Sequence, residues 1–263
     1  MHGRAFDFGE NWKAFSENAL DAARFEQAQA HFADLTTGLP LQGSTFLDIG
    51  FGQGLSLLAA AQAGADVCGL DINPKCSDVL LENARRFGCT PVRARIAVGS
   101  ILHQTSIDRV REWAPEGFDI VHSWGVLHHT GALWTAIDRA CSLVRPGGHL
   151  VLAIYNRHWS SPAWTAVKRA YVGSPNVLQT AMTAAFVPVI YAAKLLATRR
   201  NPLRKERGMD FYYDVVDWIG GYPYEYASRS QVERFVRGRR FVPKRFVAAG
   251  VPIGCNEFIF LKS

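Results

Sequence analysis

Apolar and polar positions along the chain alternate between two periods. Short, nearly continuous apolar runs at 44–49, 65–72, 92–98, 118–124 and 149–155 read as buried strands. Between them lie segments of helical period, beginning at Leu55 and spanning 74–87, 104–114 and 136–144. Gly88 stops the second of these, and Arg145-Pro146-Gly147-Gly148 breaks the last. Ahead of the first strand, residues 5–33 read as one helix with Trp12, Phe15, Ala19, Ala22, Ala23 and Phe25 near one face. A helix start at Ser228-Arg229-Ser230-Gln231 and apolar runs at 241–248 and 257–261 complete the pattern. The regular alternation of strand and helix predicts an α/β, Rossmann-like doubly wound sheet.

The first strand runs into Asp48-Ile49-Gly50-Phe51-Gly52-Gln53-Gly54-Leu55. Glycine at every second position lets a ligand lie against the backbone at a helix N-terminus. A dinucleotide turn needs G-x-G-x-x-G, whose third glycine falls on Leu55, and the carboxylate of Asp48 would repel a pyrophosphate. An acid there suits a ligand carrying an ammonium group. The second strand ends at Asp71, 23 residues after Asp48. That is the place at which a carboxylate accepts from two ribose hydroxyls, although an acid ahead of Pro74 also serves as a helix cap. At the end of the fourth strand, Ser123, Trp124, His128 and His129 are expected to line the crevice where doubly wound folds bind ligands.

The run from Asp48 through Asp71 and the fourth strand to Arg145-Pro146-Gly147-Gly148 resembles the ordered motifs of the class I S-adenosylmethionine (SAM) dependent methyltransferases. Over the full length, Phe8-Gly9-Glu10-Asn11-Trp12, Ile154-Tyr155-Asn156, Val216-Asp217-Trp218-Ile219-Gly220-Gly221 and Gly254-Cys255-Asn256-Glu257 resemble a bacterial subgroup loosely related to the ubiquinone-biosynthesis O-methyltransferases. The resemblance implies a mostly parallel sheet with an antiparallel last strand. It implies SAM as cofactor and S-adenosylhomocysteine (SAH) as product. Expected around the cofactor are Trp12, Asp48, Gly50, Phe51, Gly52, Gly54, Asp71, Ile72, Ser100, Ile101, Ser123 and Trp124. Ser100 stands where such enzymes usually place an aspartate beside the adenine, which weakens the contact expected there.

Residues 157–227 separate the fifth strand from the last helix, where a minimal core would have a short connection. They are expected to form a helical lid carrying substrate specificity, between a cofactor-binding core at 1–156 and a closing helix and strands at 228–263. Val177–Ala197 is strongly apolar, but Gln179, Pro188 and Lys194 interrupt it, and two cap helices meeting at Pro188 are expected. An interfacial segment over 177–207, touching anionic lipid, is the alternative. Further on, Asp210, Asp214 and Asp217 would share one helix face. Tyr155, Tyr213, Trp218, Tyr222 and Glu225 are the candidate acceptor contacts, and His128, His129 or Asp217 the candidate proton acceptor.

Composition refines this picture at three points. The 263 residues are 48% hydrophobic, ample for a core, and five scattered cysteines form neither a disulfide framework nor a metal-ligand spacing. A reducing compartment and, with no apolar leader at Met1–Asp7, the cytoplasm are expected. The net charge of +6 is local: residues 199–207 carry five bases against one acid and residues 234–245 six bases with none, while elsewhere 22 acids face 18 bases. Such runs admit RNA as a substrate. No RNA-binding module accompanies them, and no Asn/Asp-Pro-Pro-Tyr tetrad follows the fourth strand. The reading is therefore methylation of a small molecule, most simply at a hydroxyl oxygen. A nicotinamide oxidoreductase is disfavoured by Leu55 and Asp48, and a non-catalytic SAM-binding protein would show binding without turnover.

Overall fold

A computed structural model describes residues 8–89, 95–199, 201–203 and 211–263. Asp210 and most of the 199–207 basic run lie outside the described residues. Seven strands form one sheet in the order β3-β2-β1-β4-β5-β7-β6. They are β1 (Thr45–Ile49), β2 (Asp66–Asp71), β3 (Arg95–Val98), β4 (Phe118–Trp124), β5 (Val144–Tyr155), β6 (Phe241–Val247) and β7 (Cys255–Lys262). The first five pair in parallel, and β7 slots between β5 and β6 antiparallel to both. Sequence order reverses between β1 and β4, so the crevice at the carboxyl ends of these strands is where this topology receives ligands.

Helices cover both faces. Phe25, Phe32 and Leu35 of α2 (Ala22–Leu35), Leu57 and Leu58 of α3 (Leu55–Gln62) and Leu80 of α4 (Lys75–Arg86) pack on one. The other carries Ile107 and Val110 of α5 (Gln104–Arg111), Ala136 and Ile137 of α6 (Leu133–Leu143), and Val232 and Val236 of α10 (Arg229–Arg237). The Ser228 hydroxyl and the Gln231 side chain cap α10 reciprocally, as its sequence indicates.

Three boundaries differ from expectation. The helix expected over 5–33 is two helices, α1 (Phe8–Asn18) and α2, because the Asp21 carboxylate accepts from Arg24 N at 2.8 Å and starts a new helix. A helix does end just ahead of Arg145-Pro146-Gly147-Gly148, α6 stopping at Leu143, but the segment is not a break before a separate strand. It is a bulge inside β5, where Phe118 pairs with Val144 and Ile120 already pairs with His149. Pro188 does not separate two helices: α8 is continuous from Asn176 to Thr198. Proline removes one interior N–H, and the loss falls on the exposed side of the helix, where the freed carbonyl stays open to solvent.

Between β5 and α10, α7 (Ser161–Gly173), α8 and α9 (Phe211–Gly220) share a small core of Tyr171, Val172, Val215 and Ile219, with Phe186 and Ile190 packed against it. These helices stand over the carboxyl ends of the strands, and α1 joins them through Phe15, whose ring meets Tyr213 of α9 edge-on at 5.7 Å.

Candidate active site

The crevice is a cavity of about 970 Å³, enough for a nucleoside-sized cofactor and a small acceptor together. Its cofactor end is built from the ends of β1, β2 and β4. Gly50 turns the chain with φ +75°, and a Cβ there would sit 2.4 Å from the Val126 side chain, so the bend requires glycine. Asp71 is 7% exposed. One carboxylate oxygen accepts from Gly52 N and the other from Asn73 N, both at 2.9 Å. The group is thereby fixed, with lone pairs left for further donors. Burial raises the Asp71 pKa and the two backbone bonds partly offset the effect.

Asp48 is buried and meets His122 Nδ1 at 2.7 Å across the β1–β4 pairing. His122 was not singled out in the sequence. Its signal was available only as register, an acid and a histidine at matching heights of neighbouring strands. The remaining expected cofactor residues on the cavity wall are Trp12, Phe51, Gly52, Ile72, Ser100, Ile101 and Trp124. The Trp12 indole lies against Gly52, 3.4 Å from where a Cβ would be, and Trp124 donates from Nε1 to Glu257 at 3.0 Å.

These residues fit SAM. The fixed Asp71 carboxylate, with lone pairs to spare, could accept from a ribose diol, and the acid beneath the glycine turn would suit an ammonium group. A dinucleotide would set its phosphates beside Asp48.

Five candidates lie off the wall. Ser123 points to the opposite face of β4 from His122 and Trp124, by strand alternation, and donates to Ile49 O at 2.9 Å. Gly54 faces away from the cavity toward α4, with the site of its missing Cβ filled by Leu80. Tyr213 packs on Phe15 and Tyr212. Glu225 accepts from Leu133 N through both oxygens, at 3.1 and 3.0 Å, so it caps α6. His128 is fully buried behind the wall, where its Nδ1 accepts from Tyr155 N at 3.3 Å.

On the acceptor side, Tyr155, Trp218, Tyr222, His129 and Asp217 border the cavity. His129 Nδ1 donates to Pro223 O at 2.7 Å, which orients the ring. The two candidate proton acceptors among the histidines sit where burial opposes protonation. Burial above all, aided by the nearby Lys168 charge, lowers His129 to about 3 against the opposing hydrogen bonds to the Pro223 and Gly221 backbone. Burial, His129 and Lys168 hold His128 well below its ordinary value. Both rings stay neutral at working pH and are poor proton acceptors.

Lys168 itself went unnoticed in the sequence. It shares one stripe of α7 with Trp164, Tyr171 and Val172, and a lysine within such an apolar stripe was the signal.

A mostly parallel seven-stranded sheet with a glycine turn after β1, an acid ending β2 and a cavity over the switch point defines a Rossmann-like methyltransferase. The methyltransferase domain family matches residues 21–187, and the chain belongs to it. It is a SAM-dependent enzyme. Over 172 residues it is 27% identical to a ubiquinone biosynthesis O-methyltransferase of Paracidovorax citrulli, covering 65% of this chain and 69% of that protein. Over 148 residues it is 32% identical to one of Cereibacter sphaeroides, covering 56% of each. The chain thus spans little more than half the length of several of these relatives. In fold it is similar to magnesium protoporphyrin IX methyltransferase of Synechocystis PCC 6803, solved with bound SAH, with a TM-score of 0.58 and 14% identity over 97% of this chain and 94% of that one.

Proposed function

We propose that this enzyme methylates a hydroxyl oxygen of a small acceptor held between the strand ends and helices α7–α9. The observation that carries this reading is the continuity of the cavity: one space runs from the Asp71 carboxylate past the glycine turn to His129, Asp217 and Trp218. Bound SAM would supply a methyl carbon made electrophilic by its sulfonium. Asp71, Gly50, Gly52 and Asp48 would hold the cofactor, with Trp12 covering it. The protein's contribution is then alignment and exclusion of water, since an in-line displacement needs its two partners held near contact. His129, kept neutral and held by Pro223, walls the acceptor on one side, while Trp218, Tyr155 and Tyr222 present ring faces to the acceptor body. The O-methyltransferase relatives support oxygen as the methylated atom. A screen of hydroxylated acceptors with methyl-labelled SAM tests the proposal: label should enter an ether. Label found only in an amine or in RNA would refute it.

A second reading concerns where the acceptor comes from. Helix α8 contains a stretch, Asn176–Leu196, long and apolar enough by length and composition to cross a membrane, and almost none of it is buried. Leu178, Val189 and Leu196 lie exposed along one stripe, and Arg199 follows directly. This stripe suits shallow contact with an anionic bilayer and an acceptor delivered from it.

A further inference from the structure

Lys168 is fully buried, 0% exposed, and its Nζ has no hydrogen-bond partner among the described residues. It stands over three aromatic rings instead: Trp218 at 4.5 Å from the centroid, Tyr224 at 4.8 Å and Tyr155 at 5.8 Å. Tyr155 and Trp218 belong to the cavity wall and Lys168 does not, so the amine sits behind the rings of the wall. A buried ammonium that makes no hydrogen bond is costly, and ring faces offset only part of that cost. Its retention here needs a use that a leucine or methionine at the same place would not serve.

We propose that Lys168 is a positioning residue for the methylation reaction: its charge, acting through the Tyr155 and Trp218 rings, selects an acceptor whose hydroxyl is bound as the oxyanion. This inference rests on the O-methylation reading given above. The acceptor hydroxyl gives its proton to solvent on binding. The oxyanion's electron pair then forms the new C–O bond as the C–S bond breaks, and that bond's electrons pass to sulfur, leaving a neutral ether and a neutral thioether. No protein base is required, in keeping with two histidines that burial holds neutral. The amine is itself poised for ionisation by its surroundings: burial lowers it to about 7, and the carboxylates of Asp217 and Asp214 and the Cys255 thiol act in the opposite sense. The groups facing it are Tyr155 of β5, His128 and His129 of the turn after β4, Asp214 and Asp217 of α9, Tyr224 before α10 and Cys255 of β7. An acceptor oxyanion adds one more negative charge to this set and favours the charged amine. In a medium of low effective dielectric, charges several ångströms apart still couple strongly enough to move an ionisation by about one to two pH units.

The test uses 4-nitrophenol, whose ionisation is visible by absorbance, bound to the full chain saturated with SAH. In the wild-type protein the apparent pKa of the bound phenol should fall by about one unit or more from its value in water. Lys168→Met should abolish the shift, and Lys168→Arg, which keeps the charge, should retain most of it. A structural role alone would alter melting temperature in both variants and leave the optical titration unmoved. Thermal unfolding and SAH calorimetry on each variant show whether the fold and cofactor site survive. Should Lys168→Met fail to fold, the wild-type and Lys168→Arg titrations decide. An unshifted bound phenol in the wild-type protein, an equal shift in Lys168→Met, or no phenol binding at millimolar concentration would overturn the proposal. Loss of SAH binding in the wild-type protein would instead count against the cofactor assignment.

Discussion

Replacing Asp71 by asparagine separates the charge of this side chain from its size. In the folded protein both carboxylate oxygens are engaged, one by Gly52 N and one by Asn73 N at 2.9 Å, with the residue 7% exposed. An amide has one oxygen. Whichever way it turns, its NH₂ faces a backbone N–H, and one donor is left unpaired. A buried unpaired donor costs about 1–3 kcal/mol. For a chain of 263 residues this corresponds to a melting point lower by roughly 2–4 °C per kcal/mol. Binding loses more than the fold does. A hydroxyl donating to a carboxylate is worth about 1.5–3 kcal/mol, so SAH should bind roughly 10- to 150-fold more weakly to Asp71→Asn. The assay is titration calorimetry with SAH at pH 7.5, read beside the melting curve. Because burial raises the carboxyl's pKa, wild-type affinity should begin to fall on acidification above the ordinary aspartate range. A variant that binds SAH within threefold of wild type would show that Asp71 ties the glycine turn to β2 and does nothing for the cofactor.

Four further outcomes follow from the same geometry. Lowering pH from 7 toward 5 should destabilise the protein, because His128 and His129 bind protons near pH 6.5 when unfolded but only at lower pH when folded; each adds a slope approaching about 1.4 kcal/mol per pH unit, so His129→Gln should remove about half of it, by urea denaturation. Gly50→Ala should cost about 1–2 kcal/mol from the positive φ alone, and more from the Val126 overlap, by thermal melting; a neutral effect would mean that the turn relaxes freely. Glu225→Gln should lower stability by roughly 1 kcal/mol through the α6 cap and leave the acceptor KM unchanged; a raised KM with intact stability would return Glu225 to the acceptor site. Sedimentation with anionic vesicles should capture the wild-type chain and release it when Val189 and Leu196 are changed to aspartate; equal capture of both would place any lipid contact elsewhere.

The sequence by itself determined the order of elements, the glycine turn after β1 and the acid that ends β2. Strand and helix periods are local properties of the chain, and a turn such as Asp48–Gly54 is specified by the dihedrals and close approaches its own glycines permit. Asp71 was legible for the same reason, since the unit from β1 to the end of β2 fixes its distance from the turn. The rest of the site was not legible, because it is assembled from segments far apart in the chain. Strand alternation, with the pairing of Asp48 to His122, turned Ser123 away and brought His122 in. The approach of Glu225 to Leu133 N made that carboxylate a helix cap. Burial, which no local pattern reports, drove His128 and His129 to neutrality. Pro188 lacked the context to break α8, whose packing through Phe186 and Ile190 holds the helix together across it. Lys168 shows the limit most plainly. Along the chain it is one basic residue among 29, and only the convergence of Tyr155, Trp218 and Tyr224 around its Nζ makes it a buried charge beside the acceptor.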